Sequence, residues 1–174
     1  MNKTIFLLLI CILPLISFQC KAPNVVTIGE INENGEMNLT NKSKITFANL
    51  DLGKEQIIRD NVENYFEQIK ILDMKIQMNS TSRGDRTTLL KDYKAHLQSS
   101  ILAWTEEEKK FVSDVFTKAT KLVTAISSDI LPDNIVLIKC DMNHYGEGVY
   151  YTREKAIVIP LNVLKSQDTE NFLQ

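Results

Sequence analysis

The sequence predicts an α+β fold: an N-terminal hairpin or tether, about three helices, and then a small, mostly antiparallel sheet. Three observations predict it. Asn34-Gly35 lies between short apolar stretches, which is a hairpin signal because both residues tolerate positive φ. From Lys54 onward, apolar residues recur at three- and four-residue steps, as on one face of a helix. After residue 130 the chain contains β-branched runs such as Ile135–Ile138, which favour strands.

The N-terminal segment is typical of an export signal. Lys3 precedes an apolar run from Ile5 to Phe18 that contains Pro14. As a helix, fourteen residues span only about 21 Å at roughly 1.5 Å per residue. This is less than the ~30 Å hydrocarbon core of a bilayer. Residues 1–19 are therefore predicted to be a cleaved signal peptide and not a membrane helix.

Cys20 closes this apolar run, and the composition turns polar directly after it. The arrangement resembles the signal of bacterial lipoproteins, in which the cysteine becomes the acylated first residue of the mature chain. The resemblance implies a palmitate-type lipid on Cys20 and a location at a membrane of the bacterial cell envelope. Ser17 and Gln19 occupy positions where that family usually has Leu and a small residue. Ordinary secretion with another cleavage site and an uncleaved N-terminal anchor are the alternatives.

Charge and cysteine content exclude other classes of protein. Lys3 is the only charged residue among the first 19, so the rest of the chain carries 19 basic and 22 acidic side chains. Nucleic-acid binding is not expected, because the sequence has no basic patch with interleaved aromatic residues. Cys140 would be left alone beside the acylated Cys20, so no internal disulfide is expected. Cys140 follows an apolar stretch and is interpreted as a small buried hydrophobe.

The chain is divided into a signal peptide (1–19), a lipidated tether with a hairpin (20–53) and an α+β domain (54–174). The first helix of that domain is predicted to start near Lys54 and to bury one apolar stripe. The stripe consists of Ile58, Val62, Tyr65, Phe66, Ile69, Leu72 and Ile76.

A second helix is predicted to start near Thr87 or Thr88, with His96 at the boundary of its buried face. Its apolar side chains are Leu89, Leu90, Tyr93, Leu97 and Ile101. A third helix begins at a capping box formed by Thr105 and Glu108, with Trp104 just before it. It should end near residues 127–129, and its predicted buried face consists of Phe111, Val115, Phe116, Ala119, Leu122, Val123 and Ile126.

The C-terminal part is predicted to be a sheet. After the strand at 135–138, two more strands (149–152 and 156–159) flank a turn at 153–155, and Pro160 ends the last one. Residues 162–164 are predicted to form a turn of helix, and Asp168 to start another helix that has barely begun at Gln174. We therefore expect the domain to be incomplete at its C-terminal end. Ile157 and Ile159 should then form a strand face that lacks its cover.

The order of these C-terminal elements suggests an enzymatic alternative. The hairpin "YYTREKAIVIP" followed by "LNVLKSQDTENFLQ" resembles the segment before the active-site helix of zincin metallopeptidases. In that family the next helix carries H-E-x-x-H, whose histidines bind zinc and whose glutamate is the general base. His96 and His144 are the only histidines here, and neither lies in such a motif. The resemblance therefore implies zinc only for a longer protein, with the motif beyond Gln174, and it assigns no catalytic or metal-binding residue here.

Few residues are candidates for a site. Asp141, His144 and Glu147 could hold a metal, but the segment is equally typical of a turn, which is the interpretation we prefer. His144, Tyr150 and Arg153 are the predicted ligand contacts. The leading hypothesis is an envelope-anchored lipoprotein without a catalytic constellation that binds an unknown protein, peptide or ligand. The alternative is the N-terminal fragment of a zinc-dependent, peptidase-like lipoprotein.

Overall fold

The computed structural model of the chain describes residues 28–40, 42–60, 64–127, 130–141 and 151–166. These residues form a mixed sheet with helices on both faces, which confirms the α+β class. In chain order the elements are β1 (Glu36–Asn38), β2 (Lys44–Phe47), α1 (Leu50–Ile57), α2 (Tyr65–Gln68), α3 (Ile71–Gln77), α4 (Arg86–Ser99), β3 (Ile101–Leu102), α5 (Glu106–Ile126), β4 (Asn134–Cys140), β5 (Tyr151–Arg153), β6 (Ala156–Pro160) and α6 (Leu161–Ser166).

The sheet has the strand order β1-β2-β4-β6-β5, with β3 paired to the end of β4. The outer pairs β1–β2 and β5–β6 are antiparallel, as is β3–β4, in line with the prediction of antiparallel pairing. The central pairs β2–β4 and β4–β6 are parallel. Between β2 and β4 the chain passes through helices, which is the long crossover that parallel neighbours need.

β4 is buried on both faces, which explains its nearly continuous apolar sequence. Alternate side chains point to opposite faces of a strand. Ile138 and Cys140 belong to a core cluster with residues of α1, α3 and α4. Ile135 and Leu137 belong to a second cluster with residues of β1, β2, α5 and α6. Cys140 is thus a buried hydrophobe, as predicted.

The prediction of one helix from Lys54 onward is wrong, because α1, α2 and α3 are separate helices. The Asp60 carboxylate accepts the backbone N–H groups of Tyr65 (2.6 Å) and Phe66 (2.5 Å) at the start of α2. At the other end of α2, Arg86 donates to the Ile69 carbonyl at 2.6 Å. Because these side chains satisfy backbone groups at both ends, the chain can break the helix without unpaired polar groups.

The predicted stripe is divided accordingly. Phe66 and Ile69 are buried, whereas Leu72 and Ile76 are 64% and 67% exposed. The boundary that we placed between residues 53 and 54 falls inside α1. Because β2 pairs with β4, the segment before this boundary is part of the same sheet as the C-terminal strands.

Two tight turns precede α1. The predicted hairpin is present: Gly35 donates its N–H to the Asn32 carbonyl at 2.9 Å, and Ile31 forms an antiparallel bridge with Met37. A second turn, between β1 and β2, was not predicted. There the Thr40 hydroxyl accepts the Ser43 N–H at 2.9 Å.

Two helix starts agree with the predictions, although only the start of α5 was predicted from its capping residues. The Asp85 side chain caps α4 by accepting the Thr88 N–H at 2.9 Å, which places the start within two residues of the prediction. The capping box of α5 is present: Glu108 donates its N–H to the Thr105 hydroxyl (3.2 Å), and the Thr105 N–H donates to the Glu108 carboxylate (2.8 Å). α5 ends at its C-cap, Ser127.

The predicted buried face of α5 is wrong over its last turns. Val112 and Val115 are buried, but Leu122 and Ile126 are 69% and 83% exposed. Ile101, expected on the second helix, lies in β3 instead.

The C-terminal strands agree with the prediction where they are described. Glu154 turns the chain between β5 and β6 with a φ of 51°, and Pro160 is the last residue of β6. The expected lack of cover over β6 is wrong for Ile159, which is only 1% exposed and belongs to a cluster with Val163 and Leu164 of α6. The helix expected from Asp168 lies outside the described residues.

Candidate functional site

A surface cleft of about 760 Å³ lies at the C-terminal end of β2. Its volume falls within the roughly 300–1,000 Å³ of ligand pockets. The cleft is formed by three segments, the Asn34-Gly35 turn, the β2–α1 junction and the start of α5. The lining residues are Glu33, Asn34, Gly35, Phe47, Ala48, Asn49, Leu50, Asp51, Ala103, Trp104 and Lys109.

The first wall depends on Gly35. Its φ of +72° is in the left-handed region, and its carbonyl accepts the Phe47 N–H at 2.8 Å. A Cβ at this position would lie only 3.3 Å from the Phe47 carbonyl oxygen. A glycine therefore lets the turn approach the end of β2 closely, and this approach places Glu33 and Asn34 beside the cleft.

The second wall is the β2–α1 junction. Asn49 caps α1 by accepting the Leu52 N–H at 2.8 Å, so the chain changes directly from strand to helix. Leu50 and Asp51, in the first turn of α1, line the cleft and are exposed.

The third wall is fixed by a buried ion pair. The Lys139 ammonium, on β4, lies 2.6 Å from the Glu108 carboxylate and donates to the Ala103 carbonyl at 3.0 Å. Lys139 is 6% exposed. Since the Glu108 carboxylate also accepts the Thr105 N–H, these contacts hold the segment before α5 in one position. Sequence reasoning missed this pair, although a lysine within the run Ile135–Cys140 implies a buried acidic partner.

Trp104 is the central side chain of this wall. Its ring contacts Phe47 edge to face, with centroids 5.2 Å apart and planes at 80°. The indole N–H is buried and has no acceptor among the residues that the structure describes. Buried polar groups are nearly always hydrogen-bonded, so this N–H is a candidate for pairing with a bound molecule or water.

The charged side chains around the cleft differ in whether they have a partner of opposite charge. The Lys109 ammonium lies 2.7 Å from the Glu106 carboxylate, so its charge is already paired. The carboxylates of Glu33 and Asp51 have neither a hydrogen bond nor an ion pair within the described part of the chain. The cleft therefore offers two carboxylates to hydrogen-bond donors or cations, beside the apolar surface of Phe47 and Trp104.

The predicted ligand contacts are not at this cleft where they can be placed. Arg153 is 2% exposed, and its guanidinium carbon lies 3.9 Å from the centroid of the Tyr65 ring. Tyr65 packs against the other core cluster, so Arg153 is on the opposite side of the sheet from Trp104. The role of Arg153 as a ligand contact stays a prediction. Cys20, His144 and Tyr150 lie outside the described residues.

The predicted metal loop is described only at Asp141, whose N–H donates to the Ser100 carbonyl at 3.0 Å. Within residues 28–40, 42–60, 64–127, 130–141 and 151–166, no group of three or more His, Cys, Asp and Glu side chains could hold a metal ion. In those same ranges, no helix has the length and apolar character needed to span a bilayer. Comparison with family models, with curated proteins and with solved structures finds no match.

Proposed function

We propose that the protein is a lipoprotein of the bacterial cell envelope that binds a small ligand or a peptide end in the cleft beside Trp104. Cys20 would carry the lipid, and the domain would act by binding, without a catalytic constellation of its own. One observation carries the binding proposal. Within the described residues, the buried Trp104 N–H has no acceptor, and it lies beside a cleft in which the carboxylates of Glu33 and Asp51 have no partner in that part of the chain either.

The lining residues define the chemistry of the proposed ligand. Two unpaired carboxylates favour a protonated amine, because a charge-assisted hydrogen bond is roughly twice as strong as a neutral one. Phe47 and Trp104 favour an apolar portion next to that amine. An acceptor oxygen on the ligand would satisfy the indole N–H. Amino-terminal peptide ends and small amines with an apolar group combine these features.

Tryptophan fluorescence provides a direct binding test, because Trp104 is the only tryptophan in the chain. Short peptides with a free amino end would be titrated against the same peptides with an acetylated end. We expect a saturable change in Trp104 emission for the free peptides. Acetylation should weaken binding at least fivefold, because it removes the charge that Glu33 and Asp51 would contact.

Matched variants test whether Asp51 binds the amine. Asp51→Asn should weaken binding at least fivefold, and Asp73→Asn should leave binding unchanged. Both aspartates are exposed and lie in the first turn of a short helix, but only Asp51 lines the cleft. Equal effects of the two substitutions, or no emission change with any amine, would contradict binding in this cleft.

The anchor is tested separately. The wild-type protein should carry lipid mass on Cys20 and enter the detergent phase in a phase separation. Cys20→Ser should lose the lipid mass and remain in the aqueous phase. Identical partitioning of the two proteins, with no lipid found by mass spectrometry, would reject the anchor.

A zinc-dependent, peptidase-like lipoprotein is the second candidate, and the arrangement of the last strands favours it. β5 lies antiparallel at the edge of the sheet beside β6, and α6 starts directly after β6. The zincin resemblance has the same order of edge strand and strand, but α6 itself carries no H-E-x-x-H, so the motif would have to lie on a later helix. This proposal requires an H-E-x-x-H motif encoded in the gene beyond codon 174. An in-frame stop codon directly after Gln174 would reject it.

A further inference from the structure

The C-terminal half of α5 and the segment that follows it expose three large apolar side chains. Leu122 and Ile126, one helical turn apart, are 69% and 83% exposed, and Ile130 is 56% exposed. The exposed residues Lys118 and Lys121 lie beside them on the helix. We call these five residues the α5 patch.

The charged residues of the α5 patch are both positive. Within α5, from Val115 to the C-cap Ser127, the sequence contains two lysines and no aspartate or glutamate, whereas Asp114 precedes this range and Asp129 precedes Ile130. Apolar residues flanked by lysines are typical of helices that lie on lipid surfaces, where lysine contacts anionic headgroups. The exposed apolar residues of α3 differ, because Asp73 and Lys75 between Leu72 and Ile76 give that helix one charge of each sign.

The tether runs beside the same helix. A Cβ on Gly29 would lie 3.7 Å from the Thr117 hydroxyl, so the chain passes α5 less than two turns before Leu122. The eight residue steps from Cys20 to Ile28 span at most ~26–29 Å when fully extended. A lipid on Cys20 would therefore keep Ile28, and with it the part of α5 beside Thr117, within that distance of the bilayer.

We propose that the α5 patch docks on the membrane surface, with Leu122, Ile126 and Ile130 in the interface and Lys118 and Lys121 on anionic headgroups. This inference rests on the proposed lipid anchor and adds the orientation of the domain on the membrane. Along the helix axis, Lys109 at the cleft is about 20 Å from Leu122, at 1.5 Å per residue. Docking at the C-terminal end of α5 thus leaves the cleft open.

The test uses the mature protein reconstituted on vesicles of phosphatidylcholine and phosphatidylglycerol. An environment-sensitive fluorophore is attached at Ile126→Cys and, as the matched control, at Ile76→Cys on α3. Both positions are highly exposed, and the thiol of Cys140 is buried. The lipid would occupy the thiol of Cys20, and protein without the lipid carries Cys20→Ser, so labelling is directed to the introduced cysteine. We expect the label at 126 to brighten at least threefold on vesicles and to be quenched by spin-labelled lipid. The label at 76 should stay in water.

Charge reversal sharpens the test. Lys118→Glu combined with Lys121→Glu should reduce quenching of the label at 126 at least twofold on anionic vesicles. Both lysines are exposed, so the fold should be unaffected. Unchanged quenching in this double variant would overturn the headgroup contact.

Equal responses at positions 126 and 76, in protein that floats with the vesicles, would overturn the docking proposal and leave the anchor intact. A failed anchor would appear instead as missing lipid mass on Cys20. Protein without a lipid is tested in the same way, because excess vesicles allow the α5 patch to bind a membrane without the anchor. In that protein, quenching of the label at 126 supports docking, and absence of quenching overturns the docking proposal.

Discussion

The two halves of α5 share one amphipathic sequence but have opposite environments. Val112 and Val115 in the first half are buried, and Glu108 there pairs with Lys139. In the second half, Leu122 and Ile126 are exposed. The period of apolar residues identifies one face of a helix. It does not reveal how far along the helix the sheet extends, and the exposed end is therefore available for another surface.

The largest expected effect is at the buried end of this comparison. Glu108→Ala should lower the free energy of unfolding by about 3–5 kcal/mol, because it leaves the Lys139 ammonium buried and unpaired. Glu106→Ala, two residues earlier, removes the partner of Lys109 and should cost less than about 1 kcal/mol. The Glu106 side chain is 82% exposed and that of Glu108 is 18% exposed. Denaturant unfolding that gives equal losses for the two variants would contradict a buried ion pair.

Truncation of apolar residues compares the two halves directly. Val112→Ala should lower the free energy of unfolding by about 1.5–3 kcal/mol, from lost burial and the cavity left behind. Leu122→Ala removes more atoms but should change it by no more than about 0.5 kcal/mol, because the side chain is exposed. Thermal and denaturant unfolding of the purified variants measure both. A larger loss for Leu122→Ala would mean that the second half of α5 is covered in the protein.

A third substitution tests whether the opposite face of the sheet is packed as tightly as the first half of α5. A Cβ on Gly53 in α1 would lie 2.7 Å from Cγ2 of the buried Ile101. Gly53→Ala should gain about 1 kcal/mol of helix propensity and lose about 1–3 kcal/mol to overpacking, so the expected net change is destabilising. In a double-mutant cycle, Gly53→Ala should destabilise the Ile101→Ala protein less than it destabilises the wild-type protein, because the side-chain atom that the new Cβ meets has been removed. A stabilised Gly53→Ala protein would show that Ile101 can move aside.

The smallest expected effect is at the edge of the sheet. The Lys44 ammonium, 2.5 Å from the Glu36 carboxylate, and the Asn32 amide hold the pKa of Glu36 below its ordinary value of 4.5. A lowered pKa means that the folded state favours the carboxylate. The contribution of the Glu36 carboxylate to the free energy of unfolding is therefore complete above pH 4.5 and is lost as the pH falls through the lowered pKa. Between pH 6 and 3, the free energy of unfolding should fall less in Glu36→Gln than in the wild-type protein, with a difference of less than about 1 kcal/mol. Parallel curves would contradict this assignment.

Local signals predicted much of the fold. The helix start at Thr105 was predicted from its capping box, and the Asn34-Gly35 turn from positive φ. The start of α4 was placed near Thr87 or Thr88, without Asp85 being identified as its cap. Contacts between distant segments were not predictable in this way. The break between α1 and α2 depends on Asp60, and the end of α2 depends on Arg86, which is 17 residues from Ile69. The helical period of the apolar residues does not predict such contacts.

The candidate site was less predictable than the fold. The predicted contacts His144, Tyr150 and Arg153 came from one loop and the adjacent hairpin. The cleft combines three segments that are far apart in sequence, near residues 34, 49 and 104. Trp104 was identified as a residue preceding a helix, but its place beside Phe47 depends on how α5 packs on β2. Only the unusual lysine in β4 was a sequence signal for that packing.

Residue-resolved hydrogen exchange along α5 is the most direct test that this helix is fixed at the cleft and free for lipid at its other end. Without vesicles, amides near Val112 should exchange only by global unfolding, and amides near Ile126 should exchange much faster by local opening. On anionic vesicles, exchange should slow near Ile126 and remain unchanged near Val112. Uniform protection along α5 without vesicles, or no slowing near Ile126 on vesicles that carry the protein, would contradict the account.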